Sequence, residues 1–536
     1  MRRFSSYGPV NDRIHYYAPR TELIERGYTQ LIGETPDEGG HYFTVWAPRQ
    51  TGKTWTMQEL VQRIQKAGDY HAAIFSMQPA KKKKTEEEVL KVLLNKMREN
   101  FEIPFPDIHK INEIASLFTK QYFQKPVILI IDEFDALGED FINGFADIFR
   151  DMFITRNSQS TKKSAEKTNL LHGLALIGVR SVLGIENVQG SPFNTQRNLQ
   201  IPNLTLEEVR GIFQWYEQES GQTLEPAVIE RLFIETNGQP GLTCWFGELL
   251  TEGCTWFTND TTKPITMDNW NYTYMYATQA LPNNNILNVI SKVKVEPYKS
   301  KALELFRTDE KVEFQFDNKD LNYLYMNGAI DLEENRETLK LYVKFANPFL
   351  QKRLFNYFSN DIFPNMGRLL PPLENMDDTI TESFLHIHHL IEKYQRYLGE
   401  NKTWLFSDAP RRKDMRIFEA VFHFNLYRFL YDLLKEWKSS VTPEFPTGNG
   451  KIDLLIRHGQ KLYGVELKTF TTEKGYKDAL IQTARYGQQL GLAEISVIFF
   501  IDVIDEQNKQ RFESDFQHTH GTGTITVKPI FVQTGQ

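Results

Sequence analysis

Short apolar runs alternate with amphipathic stretches through roughly the first 200 residues of the chain. Four runs have the length of buried strands: His41–Trp46, Tyr70–Ser76, Val127–Ile131 and Leu174–Val179. Between them, apolar positions three and four residues apart predict helices at Trp55–Ala67 and Phe141–Ile154. Strands that alternate with helices form a parallel sheet, so residues 1–204 are predicted to be an α/β domain.

The pattern becomes helical after this sheet. Residues 205–290 contain three amphipathic stretches, Leu206–Glu219, Pro226–Asn237 and Gly241–Glu252, and we expect them to form a helical lid. Residues 291–358 predict a small α+β unit with these elements in order: helix Lys299–Phe306, strand Val312–Phe316, helix Asp320–Asn327 and a hairpin over Ile330–Phe345. That order favours a winged helix, and an unrelated packing domain is the alternative.

A proline-containing stretch, Asn360–Asp378, predicts a linker over residues 359–378. Residues 379–536 then form a last α/β domain. Its predicted elements are the helix Arg416–Trp437, the strands Lys451–Arg457 and Leu462–Lys468, the helix Gly475–Leu490 and the strand Ile495–Asp502. The predicted fold class is therefore α/β multidomain.

The turn after the first strand has the composition of a phosphate-binding loop, with the sequence APRQTGKT leading into a helix. Backbone N–H groups of such a turn form an anion cradle with the helix N-terminus. The residues predicted to bind the cofactor there are Ala47, Gln50, Thr51, Gly52, Lys53 and Thr54. Lys53 would supply charge to the β- and γ-phosphates, and Thr54 a hydroxyl to Mg²⁺. Ala47 stands where a glycine is usual, and it disfavours a positive φ.

A second motif supports this interpretation. The apolar strand Val127–Ile131 ends in two acids, of which Asp132 would hold Mg²⁺ through water and Glu133 would polarise the attacking water. The two motifs together predict ATP and Mg²⁺ as cofactors. Arg180 follows the next strand, where it would sense the γ-phosphate; a salt bridge or surface contact is the equal alternative. Arg197 is a weaker candidate for an arginine finger that acts across subunits.

Several segments together resemble the AAA-like, STAND-related prokaryotic P-loop ATPases: Tyr16–Arg20, Val45–Thr54, Ile131–Asp135, Gly178–Arg180 and Gly238–Gly241. The resemblance covers about residues 10–355. It implies a P-loop ATPase core with a helical lid and a winged helix, in which Gly238–Gly241 would lie near the nucleotide. Such ATPases often act as switches or assemble into oligomers, so we expect a homo-oligomer.

A second set of chemical groups lies in the C-terminal domain. Asp453 precedes Glu466 by thirteen residues, a spacing that fits one β-hairpin. Glu466 and Lys468 share a strand face, because side chains alternate with period two. Two carboxylates there can hold Mg²⁺ through oxygen ligands, and Lys468 can orient or help deprotonate a water. Such D…ExK spacing also occurs by chance, where it forms a surface salt bridge.

Further residues extend this set. Glu419 lies on the helix Arg416–Trp437, while Gln482 and Tyr486 share a helix face at i and i+4. Together with Asp453, Glu466 and Lys468 they resemble the PD-(D/E)XK nuclease superfamily over about residues 405–502. The resemblance implies a restriction-endonuclease-like domain whose catalytic residues include Glu419 and the QxxxY pair, and whose metal ligands are Asp453 and Glu466.

Composition narrows the expected partners. The net charge is −7, so any nucleic-acid contact must come from local patches. The basic residues Arg411, Arg412, Lys413 and Arg416 form one such patch, although a solvated helix start is as good an interpretation. The histidines His386, His388 and His389 are interpreted as packing or surface residues. Two cysteines fit a reducing compartment, and the longest apolar runs are strand-sized, so we expect a cytoplasmic protein with no membrane contact.

These observations predict an ATP-regulated, Mg²⁺-dependent nuclease that acts on nucleic acid, with DNA favoured. A role in mobile elements or in defence against foreign DNA follows from resemblance alone. The alternative is a regulatory ATPase whose C-terminal domain only binds DNA or a protein partner. An ATP-driven translocase ranks lower, because the two phosphate-site motifs are not accompanied by helicase motifs.

Overall fold

The structure is a computed structural model of the 536-residue chain. It describes all residues except 7, 9, 179–197, 254–258, 307–310, 414, 445–452, 471, 521–522 and 536, and it does not describe the side chains of residues 444, 453, 520 and 523. The chain divides into two compact units. One comprises Met1–Phe233 and Gly238–Thr273, and the other comprises Ile234–Asn237 and Tyr274–Gln536.

The first unit is built on a parallel sheet. Its strands are β1 (Tyr42–Trp46), β2 (His71–Ser76), β3 (Val127–Asp132), β4 (Leu171–Ile177) and β5 (Asn198–Gln200). Their order across the sheet is β2-β3-β4-β1-β5, and every pair is parallel. The predicted parallel α/β architecture is therefore confirmed. Because β1 and β3 run parallel to one another, the turns that follow them open at the same carboxyl edge of the sheet.

Helices cover both faces of this sheet. The helices of this part of the chain are α1 (Thr21–Ile32), α2 (Lys53–Ala67), α3 (Glu86–Phe101), α4 (Glu139–Asn157), α5 (Leu206–Ser220), α6 (Pro226–Thr236), α7 (Pro240–Thr251) and α8 (Met267–Gln279). Alternate residues of β3 enter different cores: Leu129 and Ile131 pack on one side, and Ile128 and Ile130 on the other. This explains why the strand is a continuous apolar run.

The second unit contains a mixed sheet. Its strands are β8 (Ser440–Glu444), β9 (Asp453–His458), β10 (Lys461–Thr469), β11 (Glu494–Ile501), β12 (Phe516–His520) and β13 (Gly523–Gln533), in the order β12-β13-β11-β10-β9-β8. Strands β9 and β10 form the predicted antiparallel hairpin, whereas β10 pairs with β11 in parallel. The helices are α9 (Asn284–Val293), α10 (Tyr298–Leu305), α11 (Lys319–Met326), α12 (Pro348–Ile362), α13 (Ile387–Leu405), α14 (Glu419–Leu434), α15 (Glu473–Gln489) and α16 (Glu506–Phe512).

The segment predicted as a winged helix has α10 and α11 followed by a hairpin of β6 (Ile330–Asn335) and β7 (Lys340–Phe345). The predicted strand Val312–Phe316 is reduced to one bridge between Glu313 and Tyr342. That bridge consists of two backbone hydrogen bonds with β7, which is too few for a ladder. The order of elements follows the expectation, and the winged-helix assignment itself stays a prediction.

The stretch predicted as a linker packs on helix α13. The Tyr397 hydroxyl donates to the Met366 carbonyl at 2.8 Å, and Lys393 pairs with Glu374 at 2.7 Å. Residues 274–536 belong to one compact unit, which has no boundary at this stretch. The finer domain limits of the sequence analysis remain predictions.

Candidate functional site

The turn between β1 and α2 is shaped by two left-handed residues. Gln50 has φ 57° and Gly52 has φ 86°, and Gly52 immediately precedes the first residue of α2, Lys53. The Thr51 hydroxyl donates to the Pro48 carbonyl at 2.9 Å and closes the turn. Ala47 is not among the described residues with positive φ, so alanine in place of glycine causes no backbone strain at that position.

Lys53 lies inside this turn. Its ammonium group donates to the carbonyls of Ala47 at 2.7 Å and Pro48 at 2.6 Å. Phosphate oxygens are stronger acceptors than neutral carbonyls for a charged donor. The phosphates of a bound nucleotide could therefore replace the two carbonyls as acceptors for this ammonium group.

The two predicted motifs meet at a pair of oxygen atoms. The Thr54 hydroxyl donates to Oδ2 of Asp132 at 2.5 Å, and the other carboxylate oxygen accepts the Glu133 backbone N–H at 2.8 Å. Hydroxyl and carboxylate oxygens are ligands that Mg²⁺ accepts. The residues fit this ion, and Thr54 and Asp132 would hold it, directly or through water.

Glu133 is held by a residue that the sequence analysis missed. Its backbone is left-handed, with φ 52°, and its Oε2 accepts a hydrogen bond from the Ser76 hydroxyl at 2.5 Å. The same hydroxyl accepts the backbone N–H of Gln78 at 3.0 Å. Ser76 is the last residue of β2, opposite Asp132 in the sheet register. A polar residue at the end of a strand that neighbours the acidic one was the available signal.

The lid contacts the phosphate-binding turn at the start of helix α7. The side-chain amide of Gln239 donates to the carbonyls of Arg49 at 3.0 Å and Gln50 at 3.2 Å, and the Gly241 N–H donates to Gln50 at 2.9 Å. An added Cβ at Gly241 would lie 2.6 Å from the Gln50 Cβ, so only glycine fits this approach. Of the remaining predicted groups, Arg180 and Arg197 lie outside the described residues.

In the second unit, the hairpin brings the predicted acids opposite one another. Asp453 on β9 is the register partner of Glu466 on β10, and paired residues of an antiparallel ladder present side chains on the same face. The Lys468 ammonium lies 2.8 Å from Oε1 of Glu466. The two side chains are only 8% and 1% exposed, so this is a buried ion pair. The side chain of Asp453 lies outside the described part of the structure.

Helix α15 covers the face of β10 that carries these groups. Glu466 and Lys468 pair in register with Val497 and Phe499 of β11, which belong to the core packed on α15. On that helix Tyr486 is partly buried against the same core, whereas Gln482 is exposed. The structure thus gives Tyr486 a packing role and leaves Gln482 accessible to a ligand.

Glu419 is the first residue of α14, whereas the helix was predicted to begin at Arg416. That boundary was wrong because Phe418 is extended and forms the N-cap. A carboxylate in the first turn is stabilised by the helix dipole. One turn later, His423 is fully buried, and burial lowers its pKa to about 3, so its ring is neutral.

The basic patch lies in the loop before α14, where Arg411, Lys413 and Arg416 are exposed. The histidine cluster joins α13 to its neighbours: the His386 and His389 rings stack at 3.8 Å, and His389 contacts the Asp378 carbonyl. Where side chains are described, no group of three His, Cys, Asp or Glu residues is arranged to hold a metal ion. Nor does any described helix have the length and apolarity to span a membrane.

Comparison with known proteins agrees with the first of these sites. A family model described as an AAA-like domain matches residues 7–252, which include both phosphate-site motifs and the start of the lid. Over these residues the chain is similar to AAA-like domains, and the parallel sheet with its phosphate-binding turn agrees with that similarity. No curated protein matches the chain.

Several solved structures align with part of the chain at low similarity. The Walker-type ATPase of Pyrococcus abyssi is 14% identical and covers 66% of this chain and 99% of its own, with a TM-score of 0.42. The ORC1 protein of Aeropyrum pernix, solved in complex with DNA, is 16% identical over 66% and 96%, with a TM-score of 0.32. A RuvB variant of Thermotoga maritima is 14% identical over 60% and 90%, with a TM-score of 0.33. Similarity this low says nothing about the activity of this chain.

Proposed function

We propose that the chain is an ATP-regulated, Mg²⁺-dependent nuclease that cleaves nucleic acid, with DNA as the favoured substrate. The observation that carries the nuclease proposal is the hairpin register, in which Asp453 is opposite Glu466 and Lys468 is paired with Glu466. An acid pair with an adjacent lysine on one sheet face is suited to hydrolysis of a phosphodiester.

In this proposal Asp453 and Glu466 hold Mg²⁺, which stabilises charge on the phosphate when it is bound. The Lys468 ammonium orients the attacking water and stabilises the hydroxide that forms as the water's proton passes to solvent, and Glu419 is a further acid at the start of α14. Oxygen of that water then bonds to phosphorus as the P–O bond to the leaving strand breaks. Gln482 and Tyr486 complete the proposed set, and the exposed guanidinium groups of the loop before α14 contact the phosphate backbone.

ATP is proposed to act at the other end of the chain. Lys53 would neutralise the β- and γ-phosphates, Asp132 and Thr54 would hold Mg²⁺, and Glu133 would polarise the water for hydrolysis. Arg180 keeps its proposed role at the γ-phosphate. Nucleotide binding would change the position of the lid, which contacts the phosphate-binding turn, or the state of assembly in a homo-oligomer, and so control cleavage.

A second candidate function has one observation in its favour. Glu466 is buried and already neutralised by Lys468, and such an ion pair can be purely structural. The chain would then be a regulatory ATPase whose C-terminal domain binds DNA or a protein partner without cutting it. Cleavage assays separate the two candidates directly.

The test is incubation of the purified full-length chain with linear and circular DNA and Mg²⁺, with and without ATP. Glu466→Gln and Lys53→Ala are the informative variants. Glu466→Gln removes a carboxylate but keeps the shape of a buried side chain, and Lys53→Ala removes the positive charge proposed to bind the phosphates. Glu473→Gln is the matched control, since that acid is exposed at the start of α15 and pairs with Arg511. ATP hydrolysis is measured in parallel.

Cleavage that is lost in Glu466→Gln, retained in Glu473→Gln and dependent on ATP and Lys53 would establish the proposal. ATP hydrolysis without cleavage of any substrate would instead favour the regulatory ATPase. If DNA is shifted in a gel but not cut, the C-terminal domain is a binding module. Light scattering with and without ATP tests the proposed oligomer in the same samples.

A further inference from the structure

The first turn of helix α7 contacts the phosphate-binding turn through one side chain. Gln239 is the N-cap of α7 and only 6% exposed, and its Oε1 accepts the Leu242 N–H at 2.5 Å. Its amide nitrogen donates to the Arg49 and Gln50 carbonyls. Both halves of the amide are therefore used: the oxygen caps the helix, and the nitrogen holds the turn.

These contacts constrain the direction of backbone N–H groups. In a trans peptide the C=O and the following N–H point in opposite directions. Because the Arg49 and Gln50 carbonyls point toward Gln239, the N–H groups of Gln50 and Thr51 point away from it. Successive N–H groups that converge on one space form the kind of concavity that binds phosphate.

Gln50 needs such a restraint. Its φ of 57° is left-handed, a conformation that residues with a Cβ disfavour. Its carbonyl accepts hydrogen bonds from both the Gln239 amide and the Gly241 N–H, at 3.2 and 2.9 Å. The lid therefore supplies the donors that stabilise the unusual backbone of the turn.

We propose that Gln239 is a positioning residue for ATP, whose side-chain amide orients the loop peptides so that their N–H groups face the phosphates. The inference rests on the nucleotide binding proposed above. It adds that the affinity of the loop for phosphate depends on the position of the lid. A lid that moves away from the turn would release both carbonyls and weaken nucleotide binding.

Two substitutions distinguish this role from helix capping. Gln239→Glu keeps the oxygen that caps α7 but places a carboxylate against two carbonyls, whereas Gln239→Ala removes cap and donor together. A capping role predicts that alanine is the more harmful change. A positioning role predicts that glutamate is more harmful to ATP binding, because repulsion replaces the hydrogen bonds.

The experiment is isothermal titration of the full-length chain with ATP and Mg²⁺, together with melting temperatures without nucleotide. We expect Gln239→Ala to weaken ATP binding about tenfold, as the loss of two weak hydrogen bonds predicts, and Gln239→Glu about a hundredfold, because carboxylate–carbonyl repulsion is added to that loss. The control pair is Gln222→Ala and Gln222→Glu. Gln222 is a buried glutamine that donates to the Asp260 and Lys263 carbonyls, well apart in sequence from the turn.

The inference is supported if glutamate weakens ATP binding more than alanine while its melting temperature is the higher of the two, and the Gln222 pair leaves ATP affinity unchanged. It is overturned if wild type binds ATP and Gln239→Glu binds it equally well, or if alanine is worse in both measurements. If wild type binds no ATP at all, the nucleotide proposal fails first and this inference fails with it. The titration of the wild-type chain therefore distinguishes failure of the nucleotide proposal from failure of this inference.

Discussion

Removal of the Ser76 hydroxyl should accelerate ATP hydrolysis. In the structure the Ser76 hydroxyl donates to Oε2 of Glu133 at 2.5 Å, and the carboxylate belongs to a residue with φ 52°. A glutamate that polarises water must direct this same oxygen at the water. The hydrogen bond to Ser76 therefore competes with the catalytic position proposed for Glu133.

The size of the effect follows from this hydrogen bond. A hydrogen bond to a charged group contributes about 1.5–3 kcal/mol. This free energy favours the position in which Glu133 is bonded to Ser76. Its loss raises the fraction of molecules in which Glu133 can face the water by about 10-fold to 100-fold when that fraction is small, since about 1.4 kcal/mol is tenfold. Left-handed backbone strain at Glu133 is unchanged by the substitution. We expect kcat to rise about tenfold in Ser76→Ala, with KM for ATP little changed.

The assay is steady-state phosphate release by the full-length chain across a range of ATP concentrations. Ser76→Thr keeps a hydroxyl and should resemble wild type, while Ser76→Ala/Glu133→Gln should be inactive if the measured turnover comes from this site. A kcat for Ser76→Ala that equals or falls below wild type would refute the reasoning. It would mean that Ser76 orients Glu133 productively instead of restraining it.

Three further results are expected. Gly241→Ala should weaken ATP binding about tenfold in titrations, because the added Cβ would lie 2.6 Å from a side chain of the phosphate-binding turn; Gly211→Ala, where a Cβ meets nothing within 4 Å, should not. Lys468→Met should lower the free energy of unfolding by about 3 kcal/mol in urea, since it removes the ammonium group that neutralises buried Glu466, and the double variant Glu466→Gln/Lys468→Met should recover part of it. Burial lowers the His172 pKa from 6.5 to about 4, so the folded state resists its protonation. The stability that it contributes is present above pH 6.5 and falls by about 2 kcal/mol at pH 5, a loss that urea unfolding should show and His172→Gln should remove.

Much of the first unit was predictable from local pattern. The strands β1 to β4 lie within a few residues of their predicted positions, because each is a short apolar run between helices of clear periodicity. The phosphate-binding turn and the acidic strand end were visible as motifs, and the parallel sheet brings Thr54 and Asp132 to 2.5 Å from each other. The hairpin of Asp453 and Glu466 was likewise predictable from spacing alone.

Other features could not be predicted from local pattern. Arg156 begins a polar stretch of sequence, yet it is 1% exposed and donates to the carbonyls of Asn169 and Ser164. A polar composition is compatible with either a surface loop or a buried hydrogen-bonded cluster. The helix predicted from Arg416 begins at Glu419 for a related reason, since the backbone conformation of Phe418 depends on its surroundings.

Local chemistry thus identified which residues can bind phosphate, hold Mg²⁺ or form an acid pair, because those capacities belong to side chains and their spacing. The hydrogen bond from Ser76 to Glu133 and the hydrogen bonds from Gln239 to the phosphate-binding turn are seen only in the tertiary structure. Ser76 is 57 residues from Glu133, and Gln239 is 190 residues from Arg49. Contacts across such separations depend on strand order and helix packing, which no local pattern encodes.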